Sequence, residues 1–332
     1  MELDELESRL VRFCQDRYDD PGAEVVAVWK MPGHAGFAYG FTVRSDGREE
    51  SWYLRLPPPN VRWQGTADVL RQVEILRALD GTDVPHARVK WSGDDLEWFG
   101  RPYFTTPVLE GDVVRLDGAG WTERLSGEVR REMARQAMTA LAGVHRVPLS
   151  AVPYLGDPIP LDDDVTRWDR FLEKAAEPQR LRRAGEVREA LLAKLPTDAP
   201  IGVFHGDFQW ANLFYSLDGT LLAVIDWELV GAGATLNDVG WVATFNDPEA
   251  WTGDRVSGLM PPADELLEMY TEAWGAPLPD LRWFRALAAY KFAIISGFNL
   301  SLHRRGKRED PVWEDVALSI EPLMDRAAQL LS

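Results

Sequence analysis

One stretch of the chain, FHGDFQWANLFYSLDGTLLAVIDWEL, places polar residues at fixed positions among strand-forming apolar residues. Its two β-rich runs flank the dipeptide Asp218-Gly219, a pair typical of a two-residue type I′ turn. A turn centred there sets Asn212 opposite Ile225, with paired Cα atoms roughly 5 Å apart. The stretch therefore predicts an antiparallel hairpin at whose open end Asn212 meets Asp226.

The order of strand and helix patterns predicts an α+β protein with two lobes. A helix over residues 2–16 precedes strands at AEVVAVWK and SWYLRL, and between them Gly33, Gly36 and Gly40 mark a turn. Helical spacing in ADVLRQVEILRALDG predicts the next helix, RPYFTTPVLEG is strand-like, and helical patterns dominate from Leu125 onward. The sequence thus predicts a small N-terminal lobe (1–106), a hinge (107–111) and a larger, mainly helical lobe (112–332).

Composition narrows the classes of function. Of the 332 residues, 53 are acidic and 36 basic, and the net charge of −17 opposes general binding to nucleic acids or anionic membranes. The single cysteine excludes an intramolecular disulfide and a cysteine-based metal cluster, which fits a reducing cytoplasm. The N-terminal residues lack the pattern of a signal peptide. The most apolar helical stretch, from Ala286, contains Lys291 and is too short to cross a bilayer, so a core helix is expected.

Three residues of the opening stretch fit phosphoryl transfer. The amide oxygen of Asn212 and the carboxylate of Asp226 are hard oxygen ligands that suit Mg²⁺. Asp207 lies in the loop that leads into the hairpin, where it is placed to accept a proton from a hydroxyl that attacks a γ-phosphate. The spacing therefore predicts a metal pair and a general base.

These motifs resemble a known family. His205-Gly206-Asp207, Asn212 and Ile225-Asp226-Trp227-Glu228 are similar to the catalytic loop and metal-binding motif of the aminoglycoside phosphotransferase and choline-kinase group, which shares the protein-kinase-like fold. YLRLPPP, VLRQVEILRAL, GRPYFTTPVLEGD and DWELVGAGATLNDVGWV follow in the family's order, and the LRLPPP and DWE forms resemble the branch related to kinase-like domains fused to acyl-CoA dehydrogenases.

The resemblance assigns roles to individual residues. It implies a small N-terminal antiparallel-sheet lobe that binds ATP, with GTP as the other nucleotide considered, and a larger lobe for catalysis and acceptor binding. It implies that Asp207 is the catalytic base, that Asn212 and Asp226 hold Mg²⁺, and that the backbone of hinge segment 104–110, including Val108, contacts adenine. The glycine-rich segment with Gly33 and Gly36 is interpreted as a cover for the phosphates.

Two positions depart from the family's pattern. The third strand carries Arg55 where kinases of this fold place a lysine, and arginine grips phosphate with a different, planar geometry. The inward face of the following helix carries Gln72 in place of a glutamate. We expect Arg55 to bind the phosphates and Gln72 to orient Arg55 through a hydrogen bond, without an ion pair.

Other residues of these motifs allow two interpretations. His205 is interpreted as a packed support of its loop rather than a proton carrier, and Asp238 as a helix cap or anchor. Glu228 is either a residue behind the metal ligands or a solvated charge. Trp210 is either a core aromatic or a wall of the acceptor pocket.

The sequence as a whole predicts a Mg²⁺- and ATP-dependent O-phosphotransferase for a small-molecule hydroxyl. An aminoglycoside-like antibiotic and a hydroxylated metabolite are the two acceptors considered. The alternative is a non-catalytic nucleotide-binding module, which Arg55 and Gln72 motivate. No nucleic-acid or membrane partner is expected, and the oligomeric state is left open.

Overall fold

A computed structural model describes residues 3–31, 37–115, 120–253 and 258–332. The two predicted phosphate-covering glycines, Gly33 and Gly36, lie outside the described residues. The chain divides into two compact units, one formed by residues 1–110 with 225–230 and the other by residues 111–224 with 231–332. The short segment 225–230 thus groups with the N-terminal residues, although it was predicted as part of the C-terminal lobe.

The first unit is built on an antiparallel sheet of five strands in the order β1-β2-β3-β5-β4. Its strands are β1 Glu24–Lys30, β2 Ala38–Ser45, β3 Arg48–Arg55, β4 Trp91–Gly93 and β5 Tyr103–Pro107. Its helices are α1 Leu3–Arg17 and α2 Val69–Leu79. One face of α1 buries Leu6, Leu10 and Phe13, which join sheet residues in a single hydrophobic core. The sheet therefore provides the rigid support on which β3 and α2 carry Arg55 and Gln72.

Gly40 does not mark the predicted turn but lies within β2, opposite Trp29 of β1. A Cβ atom at this position would stand 2.1 Å from the Trp29 ring, so a side chain is excluded here by packing. The glycine is needed because the indole crosses over the backbone of the neighbouring strand.

The second unit is mainly helical. Its helices are α3 Gly127–His145, α4 Leu161–Thr166, α5 Asp169–Leu172, α6 Ala184–Ala193, α7 Leu236–Phe245, α8 Ala263–Trp274, α9 Arg282–Arg304, α10 Val312–Val316 and α11 Ile320–Leu330. Its strands are β6 Asp112–Val113, β7 Ile201–Phe204, β8 Leu213–Tyr215, β9 Leu221–Val224 and β10 Gly231–Ala234. The stretch from Ala286 is the buried middle of α9, as predicted. In the part of the chain described, no helix has both the length and the apolar character of a membrane span.

The hairpin of β8 and β9 keeps its predicted register at the open end, where Leu213 pairs with Val224. The predicted type I′ turn is wrong. The N–H of Gly219 donates to the carbonyl of Ser216 at 3.0 Å, so the turn is centred one residue earlier, and Gly219 follows it with φ of 93°. Asp218 accepts a hydrogen bond from the N–H of Thr220 and caps the turn with its side chain, which stabilises this form over the type I′ turn.

Candidate functional site

The carboxylate of Asp207 is held by three side-chain N–H donors within the second unit. Trp241 Nε1 donates to Oδ1 at 2.8 Å, Asn212 Nδ2 donates to Oδ2 at 2.9 Å, and Gln209 Nε2 contacts both oxygens at 3.2–3.3 Å. Burial raises the pKa of Asp207, and these hydrogen bonds, together with the charge of His205, oppose the rise. The result is a carboxylate fixed in one orientation, as a general base requires.

The loop that carries Asp207 is anchored by Asp238, which lies in the first turn of α7. Its carboxylate accepts hydrogen bonds from the backbone N–H groups of His205, at 2.6 Å, and Gly206, at 2.8 Å. His145 Nε2 contacts the same carboxylate at 3.2 Å, and His145 Nδ1 contacts the hydroxyl of Tyr270 at 2.7 Å. Asp238 therefore anchors the catalytic loop as well as standing at the start of a helix.

Electrostatics favours the ionised form of Asp238. Burial alone would raise its pKa, but the hydrogen bond and charge of His145, the charge of His205 and the N–H of Gly206 outweigh burial and lower the pKa. His205 is fully buried, and its Nδ1 lies 3.2 Å from the backbone nitrogen of Asp207. The interpretation of His205 as a packed support of the loop agrees with these contacts.

Trp241, His145 and Tyr270 were not predicted from the sequence as parts of this network. A signal for Trp241 exists, because it follows Asp238 by three residues on α7 and so shares its helix face. Trp210, the tryptophan that the sequence singles out, is a core residue instead. It is 1% exposed and donates from Nε1 to Asn246 at 3.1 Å, so it does not form a wall of an acceptor pocket.

The two predicted metal ligands can each offer an oxygen atom. Asn212 uses its Nδ2 for the backbone and side-chain oxygens of Asp207, which leaves its carbonyl oxygen as the remaining polar atom. In the first unit, Asp226 has φ of 62° and begins the short 3₁₀ turn Trp227–Leu229. Among the described residues, no group of three or more His, Cys, Asp or Glu could hold a metal. An amide with one carboxylate nevertheless fits Mg²⁺, which takes few protein ligands.

Arg55 of the first unit is paired with Glu228, a partner that was not predicted from the sequence. Arg55 Nη2 donates to Glu228 Oε2 at 3.2 Å, and the Arg55 side chain is 11% exposed. The expected hydrogen bond from Gln72 is not formed: Arg55 Nε and Gln72 Nε2 are buried, and neither has a hydrogen-bond partner in the part of the chain described. The predicted hydrogen bond between Gln72 and Arg55 is therefore wrong, and a glutamate distant in sequence, Glu228, forms the ion pair that Gln72 cannot form.

Val108 lies just after β5 in the predicted hinge. Its backbone N–H donates to the carbonyl of Ser51 at 3.0 Å. This donor is therefore used within the unit, and a contact of Val108 with adenine would involve its carbonyl oxygen or its side chain. The nucleotide-binding roles of Val108, Arg55 and Gln72 remain predictions.

Comparisons with known proteins agree with the motif resemblance. The model of the phosphotransferase enzyme family (APH) matches residues 39–287. Acyl-CoA dehydrogenase family member 11 of Gallus gallus is 24% identical over 297 residues, which are 85% of this chain and 38% of that protein. The chain thus spans well under half the length of this curated relative.

Solved structures show the same fold. A Ralstonia eutropha protein, provisionally assigned as an aminoglycoside phosphotransferase, matches with a TM-score of 0.78 at 19% identity, over 98% of this chain and 97% of that one. A thermostable mutant of aminoglycoside phosphotransferase APH(4)-Ia, in a ternary complex with AMP-PNP and hygromycin B, matches with a TM-score of 0.62 at 14% identity, over 97% of each chain. The predicted α+β, protein-kinase-like fold is confirmed, and the chain belongs to the phosphotransferase enzyme family.

Proposed function

We propose that this member of the phosphotransferase enzyme family transfers the γ-phosphate of ATP, or of GTP, to a hydroxyl of a small molecule with Asp207 as the general base. The observation that carries the proposal is the fixed Asp207 carboxylate, held by Trp241, Asn212 and Gln209. A base of this kind contributes only when it is held within hydrogen-bond reach of the attacking hydroxyl. Family membership supports phosphoryl transfer to small molecules as the reaction class.

Asp207 would orient the acceptor hydroxyl and take its proton as the oxygen attacks the phosphorus. Asn212 and Asp226 would hold Mg²⁺, which offsets the charge of the nucleotide phosphates when it is bound. The pairing of Leu213 with Val224 supports this, since Asn212 precedes one of these residues and Asp226 follows the other by two positions. Arg55 would bind phosphate oxygens with its remaining N–H groups.

Two classes of acceptor remain candidates. The ternary complex of APH(4)-Ia with hygromycin B motivates an aminoglycoside-like antibiotic. The likeness to an acyl-CoA dehydrogenase family member motivates a hydroxylated metabolite. The alternative function is a non-catalytic nucleotide-binding module, motivated by the replacement of the usual lysine and helical glutamate by Arg55 and Gln72.

The test separates chemistry from nucleotide binding. Asp207→Asn should lower turnover by about 10²–10⁴-fold while nucleotide affinity changes little, because the base acts on the acceptor. Asp226→Asn should weaken Mg²⁺-dependent nucleotide binding as well as turnover. Turnover is measured as transfer to an acceptor panel or as slow ATP hydrolysis with water as the acceptor, and affinity by calorimetry with Mg²⁺ and AMP-PNP.

Asp218→Asn is the matched control, because the same chemical change is made at an exposed turn of the hairpin that follows the loop. It should leave turnover within about twofold of the parent protein, as surface substitutions usually do. If the protein binds Mg²⁺-ATP but neither hydrolysis nor transfer responds to Asp207→Asn, the base is misassigned. The nucleotide-binding module then becomes the better description.

A further inference from the structure

Lys291 of α9 is a buried cation close to the proposed base. Only 9% of the residue is exposed. Its Nζ lies 5.3 Å from the ring centroid of Trp168 and 5.7 Å from that of Trp241, within the range of cation–π contacts. Trp241 is the residue whose indole N–H donates to Asp207. The same indole therefore contacts the proposed base with its N–H and the lysine with its ring.

The charge of Lys291 is not balanced by an ion pair. Within the described part of the chain, no carboxylate lies within ion-pair distance of Nζ and no acceptor takes a hydrogen bond from it. A buried ammonium without a charged partner is costly, and proteins seldom keep one without a use. The lysine would thus gain from an anion that arrives with a ligand.

The nearby carboxylates already have partners. Asp164 is ion-paired with Arg167, with 2.9 Å between Nε and Oδ1, and accepts a hydrogen bond from Asn237 Nδ2 at 2.8 Å. Asp238 is engaged by His145 and by the loop N–H groups. These two carboxylates favour the charged form of Lys291 at longer range, but neither forms an ion pair with its Nζ.

Three further buried polar atoms belong to this neighbourhood. The Nε1 donor of Trp168, the Oδ1 acceptor of Asn237 and, despite its ion pair, the Oδ1 acceptor of Asp164 are buried, and in the described ranges none of them has a hydrogen-bond partner. Trp168 stacks against Lys291, and Asn237 binds Asp164. The Nε1 donor of Trp168 beside the ammonium of Lys291 suits a carboxylate, which accepts hydrogen bonds at two oxygens.

We propose that Lys291 binds the carboxylate of a hydroxylated acid whose hydroxyl is held at Asp207, with the indole of Trp241 against the carbon chain between them. This inference rests on the proposed function, since it identifies the acceptor of the same reaction. A polycationic aminoglycoside fits poorly because it would bring further positive charge to a buried ammonium. A phosphate monoester fits less well than a carboxylate, because its greater charge calls for more than one cation, and Arg167, which also lies over Trp168, is already paired with Asp164.

The protonation of Lys291 is consistent with an anionic ligand. Burial lowers the pKa of this lysine; Asp164 and Asp238 oppose the shift and Arg167 adds to it. A carboxylate bound beside Nζ favours the charged form and so raises the pKa again. Binding of the acid and protonation of the lysine are therefore expected to reinforce each other.

The experiment compares acids with their neutral counterparts. The parent protein is assayed for ATP-dependent phosphorylation of linear ω-hydroxycarboxylates with two to six carbons, each paired with its primary amide, alongside glycerol 1-phosphate and hygromycin B. We expect the acid to have the higher kcat/KM in at least one pair. Lys291→Met should lower kcat/KM for that acid by about 10–100-fold and change the amide much less, since only the acid loses a charged hydrogen bond.

Lys291→Arg and Lys307→Met complete the design. Lys291→Arg keeps the charge and should retain a preference for the acid over its amide. Lys307 is an exposed lysine beyond the end of α9, and Lys307→Met should leave both substrates unaffected. A parent protein that prefers amides, glycerol 1-phosphate or hygromycin B overturns the inference, and so does an equal loss for acid and amide in Lys291→Met.

Calorimetric binding of the preferred acid provides a readout that needs no turnover. The titration uses the hydroxycarboxylate alone, with the parent protein and with Lys291→Met. If the hydroxycarboxylate binds to the parent protein and not to Lys291→Met, the inference is supported. This holds even if ATP hydrolysis is insensitive to Asp207→Asn, and in that case only the proposed function fails. An Asp207-dependent enzyme that binds none of the hydroxycarboxylates disproves the inference and leaves the proposed function in place.

Discussion

The residues proposed to bind phosphate, in the first unit, and those around the proposed base, in the second unit, are here called the two halves, and they differ in how their polar groups are satisfied. In the second unit, the carboxylate of Asp207 has three side-chain donors, and its loop is fixed through Asp238. In the first unit, Arg55 has a single ion pair with Glu228, while its Nε and the Nε2 of Gln72 are buried without partners in the described residues. One half is complete within the protein, and the other leaves hydrogen-bonding capacity unused.

This difference matches the tasks of the two halves. A general base must already be oriented when the hydroxyl arrives, since misplacement lowers its contribution steeply. A phosphate-binding site must instead keep hydrogen-bond donors free for the phosphate oxygens of a nucleotide that binds and dissociates. A buried donor without a partner costs about 1–3 kcal/mol, and phosphate oxygens offset that cost when they bind. The comparison predicts that substitutions in the first half act on nucleotide binding and those in the second half act on stability and turnover.

The largest effect is expected at Asp238. Asp238→Asn removes the charge that faces His145 and weakens the acceptor for two loop N–H groups, so it should lower the free energy of unfolding by about 3–5 kcal/mol. Turnover should fall as well, because the loop that carries Asp207 loses its anchor. Denaturant unfolding measures the stability, and calorimetry with AMP-PNP should show little change in affinity.

The acid dependence of stability provides the check on this assignment. The folded-state pKa of Asp238 is lowered, so its stabilisation is fully present above the unfolded pKa of about 4 and is lost as the pH falls through the folded value. The stability difference between the parent and Asp238→Asn should therefore shrink below about pH 4. A difference that stays constant down to pH 2 would mean that the carboxylate charge does not carry the effect.

A smaller effect is expected at Glu228, in the other half. Glu228→Gln removes the anion that orients Arg55, and we expect nucleotide affinity to fall about tenfold, the usual scale for a charged hydrogen bond. Glu49→Gln is the matched control: Glu49 pairs with Arg44 in the same unit, both side chains are about half exposed, and such pairs contribute little. Tighter nucleotide binding in Glu228→Gln would show that the glutamate restrains Arg55 rather than orienting it.

Local features of the sequence correctly predicted those parts of the structure that depend on residues close together in the chain. The strand pattern sets the register of Leu213 with Val224, and the spacing of Asp207 and Asn212 places both on one loop. The turn type was not predicted because a side chain, that of Asp218, alters the local hydrogen bonding. Such competition between side chain and backbone is hard to read from a dipeptide preference alone.

Partners that lie far apart in the chain could not be predicted in this way. Glu228 stands 173 positions from Arg55, and Trp241 stands 34 positions from Asp207. Periodicity identifies which residues face inward, as it does for Gln72, but not which polar atoms meet across a packed interface. The resemblance to a known family supplied the roles of the motif residues, while the contacts that replace or support them emerge only from the fold.

The smallest effect is expected at Gln72, and its sign gives the sharpest contrast between the two halves. Gln72→Met removes a buried amide donor without a partner and keeps the side-chain volume, so the free energy of unfolding should stay equal or rise by up to about 1 kcal/mol. Gln209→Met makes the same change where the amide donates to Asp207, so there it should lower stability by about 1–2 kcal/mol. Thermal unfolding of both variants without nucleotide measures the contrast. With AMP-PNP and Mg²⁺ present, Gln72→Met should gain less stabilisation than the parent, because a donor available to the phosphate side is gone. If Gln72→Met destabilises the free protein as much as Gln209→Met does, the amide of Gln72 contributes to the fold itself and is not a group kept free for the nucleotide.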